Sequence, residues 1–288
     1  MRNIILLIRP RQYIKNLFIF LPLFFVGQIT NPELLLNAFI AFVAFSISAS
    51  AIYILNDFCD IEEDRQHPEK KSRPLASGSI SSKTALFLMG VLAISGISLI
   101  TALSFESLVA LSGYILLNIA YSYYLKHIAI LDVTIISIGF LLRIFVGAFV
   151  NGIQLSMWIV MMTFLLALFL AFAKRRDDLL IYLNTGKNVR KVISGYNIDM
   201  LNASMSILAA VVIVSYIMWT VSIDVITRVG SNKLYATTFF VILGILRYLQ
   251  VIFIDEKSGS PSEVLLSDRL IQFSVLGWLA FLGIVLYT

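Results

Sequence analysis

Residues 34–65 read LLLNAFIAFVAFSISASAIYILNDFCDIEEDR. From 34 to 55 no side chain is charged, and about 20 consecutive apolar residues is the length that crosses a bilayer core as a helix. Directly after that run the chain turns acidic, with Asp57, Asp60 and Asp64 separated by three and four residues. A helix continued past the membrane edge would carry the three carboxylates on one face. Like charges stacked in this way repel unless a cation lies between them. A divalent ion serves, and Mg2+ binds through a few carboxylates, retained waters and substrate phosphates.

The rest of the chain repeats the first half of this pattern. Hydrophobic residues make up 59% of the 288, charged residues only 14%, and the mean hydropathy is +0.90, which leaves too little polar surface to wrap a soluble globule of this length. Apolar runs at 13–29, 34–55, 84–104, 107–125, 128–150, 155–173, 200–223, 234–254 and 270–287 predict an all-α integral membrane protein of about nine spans, organised as a single domain over 1–288. Arg9, Arg11 and Lys15 interrupt the amino terminus and no small-residue cleavage site follows the run at 17–26, so the first span is expected to be retained.

A net charge of +5 would suit nucleic acid, but the basic residues are confined to loops between apolar runs, where lipid head groups or phosphorylated substrates meet them, and this placement argues against nucleic acid. Those loops alternate. One set holds Arg2, Arg9, Arg11, Lys15, Arg65, Lys70, Lys71, Arg73, Lys83, Lys126, Lys174, Arg175, Arg176, Lys187, Arg190, Lys191, Lys257 and Arg269, whereas the other holds only Arg228 and Lys233. The positive-inside rule then predicts a multi-pass protein of the inner or plasma membrane with its charged loops in the cytoplasm. A single cysteine, Cys59, excludes an intramolecular disulfide and any multi-cysteine metal centre. Neither His67 nor His127 has the neighbours of a catalytic triad or a zinc site.

Chemistry therefore concentrates at one membrane edge. Lys70-Lys71-Ser72-Arg73-Pro74, closely following the carboxylates, suits phosphate oxygens. Lys174-Arg175-Arg176-Asp177-Asp178 ends another span, where a membrane anchor and a ligand site read alike. Arg143 and Arg247 fall inside apolar runs, where a cation is expensive and faces a polar cavity or an anionic partner. Asp132, about three helical turns before Arg143, is expected on the same face.

Asn56-Asp57-x-x-Asp60-x-x-x-Asp64 with its Lys-x-Arg-Pro sequel resembles the UbiA superfamily of intramembrane prenyltransferases. Arg9-Pro10-Arg11-Gln12-Tyr13-Ile14-Lys15-Asn16, Tyr121-Ser122-x-x-Leu125-Lys126-His127, Lys174-Arg175-x-x-Asp178, Leu246-Arg247-Tyr248 and Asp268-Arg269 resemble, more narrowly, its decaprenyl-phosphate phosphoribosyltransferase branch. The resemblance spans nearly the whole chain. It implies a UbiA-type bundle around a cavity open to the cytoplasm, and transfer of 5-phosphoribose from 5-phosphoribosyl 1-diphosphate (PRPP) to a polyprenyl phosphate with Mg2+ as cofactor. It further implies a metal site of Asp57, Asp60 and Asp64 supported by Asn56, with phosphate contacts from Lys15, Arg73, Lys126, Lys174 and Arg175. Lys71, Tyr121 and Asp178 belong to the same implied substrate site, and Arg143 and Arg247 would reach polar groups of the cavity. The sequence departs from the superfamily where a second Asp-rich motif is usual, at Lys174-Arg175-Arg176-Asp177-Asp178, and Asp178 stands where the branch commonly has Glu. The first departure weighs against the alternative enzyme, a prenyltransferase acting on an aromatic or lipid acceptor. A membrane transporter, the non-enzyme alternative, would place its ligands near the bilayer midplane rather than at one edge. A homo-oligomer is compatible with these residues.

Overall fold

The structure, a computed structural model, describes residues 2–66, 70–186, 191–255 and 261–287. His67, Lys187, Arg190 and Lys257 lie outside them, as does the side chain of Lys191. Among the described residues every regular element is helical, and eight helices are long and apolar enough to cross a membrane. The chain divides into two compact units, Met1–Leu155 and Ser156–Thr288.

The first unit opens with α1 (Arg2–Ile8), a 3-10 helix over Pro10–Phe20, and the short α2 (Leu21–Phe25). The sequence pattern predicts a single span at 13–29, and the structure differs. A 3-10 run of this length is uncommon because its hydrogen bonds are poorly aligned. Here side chains pin it along its length to α3 (Pro32–Cys59). Tyr13 Oη lies 2.9 Å from Ser50 Oγ, and Asn16 Nδ2 donates to Ser46 Oγ over 2.8 Å. On the opposite side Gly147 of α7 (Leu131–Phe149) meets it so closely that a Cβ at that glycine would sit 1.9 Å from the Ile19 carbonyl oxygen. Only a residue without a side chain permits this approach.

Three of the four long helices of this unit start where the sequence supplies a cap, α7 being the exception. Asn31 precedes Pro32 and accepts from the Glu33 and Leu34 amides at 3.1 and 3.4 Å. Ser81 and Ser104 do the same for α5 (Ser82–Thr101) and α6 (Phe105–Tyr123), satisfying N–H groups that have no partner within a helix. The α3 helix is the most enclosed span of this unit. Its alanines and serines let α5 approach until Gly96 meets Ser48, and Phe45 stacks against Tyr114 of α6 at 4.5 Å between ring centres.

The second unit holds α8 (Met157–Thr185), α9 (Ile198–Thr220), the short α10 (Ile223–Val229), α11 (Thr238–Phe253), α12 (Pro261–Ser267) and α13 (Arg269–Tyr287). Ser156 and Asn197 cap α8 and α9. Arg176 binds the unit together from inside, donating to Asn202 Oδ1 of α9 at 2.7 Å and to the Ile252 carbonyl of α11 at 2.8 Å. The basic residues of this stretch thus divide, and Arg176 is given to packing.

Candidate active site

In the first unit α3 runs to Cys59 and stops. Asp60 is its C-cap, with ψ at 8°, and a new helix, α4 (Ile61–Gln66), starts one residue later. The continuous face expected for Asp57, Asp60 and Asp64 is therefore broken at its middle member. Asp57 and Asp64, both buried, share the Arg73 guanidinium at 3.0 and 2.6 Å. Asp60 turns to Lys126 and takes a hydrogen bond from Asn56 Nδ2 at 3.1 Å. Among the described residues no three His, Cys, Asp or Glu side chains gather closely enough to hold a metal ion as a set. The physical cause lies in the backbone turn at Asp60 and in the cations that divide the carboxylates between them.

The sequence reading missed one partner. Arg9 pairs with Asp57 Oδ1 and stacks over the Tyr53 ring at 5.5 Å. Its backbone is left-handed, φ 53° and ψ 59°, a conformation costing a non-glycine residue about 1–3 kcal/mol and found where surrounding contacts enforce it. The following Pro10 already disfavours a right-handed helical Arg9. The signal was the Arg9-Pro10 dipeptide, which was read as part of a motif and not as a bend that aims a side chain.

Asp57 Oδ2 is buried and has no hydrogen-bond partner. A buried carboxylate oxygen left unanswered costs roughly 1–3 kcal/mol or more, so this atom is a vacant acceptor for a cation or a donor group. Burial pushes the Asp64 carboxyl above the ordinary carboxylate range, and the Arg73 guanidinium pulls it back only in part.

The remaining expected residues of this unit fall into three kinds of environment. Lys126 is largely enclosed and committed to Asp60. Tyr121 is half-buried in the last turn of α6, and Lys71 is exposed. Arg143 is buried and pairs with no carboxylate. Its Nε donates to Asn16 Oδ1 at 2.7 Å and one terminal nitrogen to the Gly139 carbonyl at 2.6 Å, while the rings of Phe45, Tyr114 and Phe140 surround it at 4.8–5.3 Å. Lys15 is half-buried and contacts no acid, and the charges nearest it belong to Arg143 and Arg9.

In the second unit Lys174 reaches Asp177 at 2.7 Å and Asp178 at 3.5 Å, and buried Arg175 pairs with buried Asp178. Of the polar cavity and the anionic partner expected for Arg247, the structure shows the partner: it holds Asp268 at 2.9 Å and Asp255 at 3.4 Å, tying α11 to the start of α13. That hydrogen bond holds the Asp268 carboxyl below its ordinary range. The apolar neighbourhood of Arg247 in sequence does not name that partner, which lies across a loop.

Helices long and apolar enough to cross a membrane, with buried carboxylates and cations gathered at the end of α3, are the architecture of an integral membrane protein with a candidate site for anionic groups. The UbiA prenyltransferase family signature matches residues 16–276, and the chain belongs to that family as a multi-pass membrane protein. It is 34% identical to the decaprenyl-phosphate phosphoribosyltransferase of Mycolicibacterium smegmatis, with 97% of this chain and 91% of that one aligned. The protein of the same description from Corynebacterium glutamicum is 30% identical, over 97% and 85% of the two chains. Among solved structures, a UbiA homologue from Archaeoglobus fulgidus bound to DMAPP and Mg2+ superposes with a TM-score of 0.73 at 18% identity, over 98% of each chain. This establishes the shared fold.

Proposed function

We propose that this protein transfers 5-phosphoribose from PRPP to a polyprenyl phosphate, releasing diphosphate. The observation that carries this reading is the Asp57–Arg73–Asp64 network with its vacant Asp57 oxygen, set at the end of a lipid-embedded helix beside Arg9. Two relatives described as decaprenyl-phosphate phosphoribosyltransferases, similar over nearly the whole chain, support it. The carboxylates of the second unit support it as well. Asp177 and Asp178 are answered by Lys174 and Arg175 from the same helix, so they are poorly disposed to hold the second metal of a prenyl-diphosphate site. The family match runs through both units, in keeping with a single transferase domain.

In the reaction the bond between C1 and the diphosphate oxygen breaks and its electron pair leaves with diphosphate. An oxygen of the lipid phosphate bonds to C1. That nucleophile is already an anion at neutral pH, so no strong base is required, in accord with a site whose acids are all matched with cations. As the ribosyl centre gains oxocarbenium character, by analogy with other glycosyl transfers, negative charge grows on the leaving diphosphate. Arg73 and Arg9, gathered at Asp57, would stabilise that charge, and stabilisation of this kind is usually the largest contribution to such catalysis. The residues fit a divalent ion, since Asp57 and Asp64 offer hard oxygen ligands and one of these oxygens is unclaimed. Mg2+, when bound by Asp57 and Asp64, would neutralise the diphosphate as it departs. Lys126, held by Asp60, closes the cluster from the loop after α6. The charged ends of the helices face the cytoplasm in this reading, as the positive-inside rule expects.

The deciding experiment incubates purified protein with Mg2+, labelled PRPP and a polyprenyl phosphate, and identifies products by mass. Lipid-linked phosphoribose and diphosphate are expected. Prenylation of 4-hydroxybenzoate from a polyprenyl diphosphate, with no turnover of PRPP at any lipid length, would assign the prenyltransferase chemistry instead.

A further inference from the structure

We propose that Lys15, backed by Arg143, binds the isolated phosphate at the sugar end of the donor and thereby selects a phosphorylated pentose over a prenyl diphosphate. The inference rests on the phosphoribosyl-transfer reading and deepens it. Of the cations considered above, Arg73, Lys126, Lys174, Arg175 and Arg247 each contact a carboxylate. Lys15 contacts none among the described residues, and it is half-buried where Lys71, which also contacts none, is exposed. Its charged neighbours are Arg143 and Arg9. Arg9 is answered by Asp57, whereas the partners of buried Arg143 are an amide, a carbonyl and aromatic rings, all neutral. Two positive charges thus stand together without an anion in a poorly solvated region. Burying unpaired charge is strongly unfavourable, and a doubly charged phosphate relieves it.

Position specifies which phosphate. The 3-10 helix lies along α3 through three contacts, Arg9 to Asp57, Tyr13 to Ser50 and Asn16 to Ser46. Ser50 and Ser46 precede Asp57 by about two and three helical turns, roughly 10 and 16 Å along the axis. Lys15 lies between these inner contacts in sequence, one residue before Asn16, which in turn accepts from Arg143. A donor whose diphosphate lies at Asp57, Asp64 and Arg73 turns its opposite end toward Lys15. In PRPP that end is a phosphate monoester. In a prenyl diphosphate it is a hydrocarbon chain, which would strip water from the ammonium and offer nothing in return. The same lysine therefore attracts one donor and repels the other.

The test compares Lys15→Met and Lys15→Arg with the wild type in detergent, after melting curves show that each is folded. Losing a charge-assisted contact should raise the KM for PRPP by about tenfold or more in Lys15→Met. Inhibition by free diphosphate and the KM for polyprenyl phosphate should stay within about twofold of wild type, and Lys15→Arg should recover part of the loss. A parallel rise in the diphosphate inhibition constant, or a rise confined to the lipid substrate, would overturn the assignment by placing Lys15 on another phosphate. Ribose 5-phosphate, which lacks the diphosphate, provides an independent arm: it should raise the melting temperature of the wild type and not that of Lys15→Met. Were the wild type to make no product from PRPP, the reaction reading would fall, and the ribose 5-phosphate shift would still decide the subsite. An equal shift in both proteins would reject it.

Discussion

The charged clusters of the two units are assembled in different ways. At the end of α8 in the second unit two pairs are local, Lys174 with Asp177 and Arg175 with Asp178, three residues apart on one helix. In the first, Asp57 draws Arg9 from the amino terminus and Arg73 from the loop beyond α4, while Asp60 draws Lys126 from the loop after α6. A local pair needs only its helix. A cluster gathered from four segments exists only when the whole unit is folded, and it can in turn report on the geometry of a substrate. The difference teaches that similar residue types at two membrane edges can serve mainly for stability in one place and for recognition in the other.

The largest effect should come from breaking the buried local pair. Asp178→Ala removes the buried carboxylate paired with Arg175, and removing one partner of such a pair destabilises by about 3–5 kcal/mol. The melting temperature of ligand-free protein should fall sharply, and Arg175→Met combined with Asp178→Leu should restore most of it. A double variant no more stable than the single one would place Arg175 in a wider network than its own helix. Next comes Asp57→Asn, which keeps the shape and removes the charge between Arg9 and Arg73. Turnover should drop on the order of a hundredfold, equivalent to about 3 kcal/mol of transition-state stabilisation. Near-normal activity in that variant, or in excess chelator, would break the comparison by making the first cluster structural too.

A smaller and pH-dependent effect is expected at Asp64. Its folded pKa is raised by burial above the unfolded value of 3.8, so the native state binds the proton more tightly. Below the unfolded value both states are protonated and there is no penalty; as pH rises through the folded pKa the ionised, buried form opposes folding. Asp64→Asn should thus be more heat-stable relative to wild type at neutral pH than at pH 4, even as it loses activity. A stability difference that grows on acidification would reverse the sign. The smallest effect belongs to the exposed pair of Arg65 and Glu62. Glu62→Gln should leave the melting temperature and turnover nearly unchanged, within about 0.5 kcal/mol, as is usual for surface pairs.

The membrane helices were legible because hydropathy over about 20 residues is a property of composition. Eight of the nine expected runs correspond to single helices. The amino-terminal run was not legible as what it is, since apolar content does not tell a 3-10 helix from an α-helix, and the contacts of Tyr13 and Asn16 lie more than twenty residues away. Helix periodicity carried Asp57, Asp60 and Asp64 onto one face because no glycine or proline marks the break at Asp60. The acidic and basic residue types of the site were readable, but their partners were not. Arg9 and Arg247 make the point from opposite sides: a loop arginine proves to be part of the cluster, and an arginine inside an apolar run proves to be a strut at a helix junction.

Gly147 has no functional group, yet its backbone is the surface on which the Ile19 carbonyl rests. That carbonyl belongs to the segment carrying Lys15 and Asn16 and leading back to Arg9. A methyl group at 147 could not be absorbed by a rotamer change, because what it meets is main chain. Chance replacement of this one glycine would act as a simultaneous lesion in the donor-facing residues of the amino terminus while leaving every one of them unaltered in the gene. In a genetic screen such an allele would mimic loss of catalysis from a position on the far side of the segment, and a compound wedged between α7 and that segment would do the same without resembling either substrate.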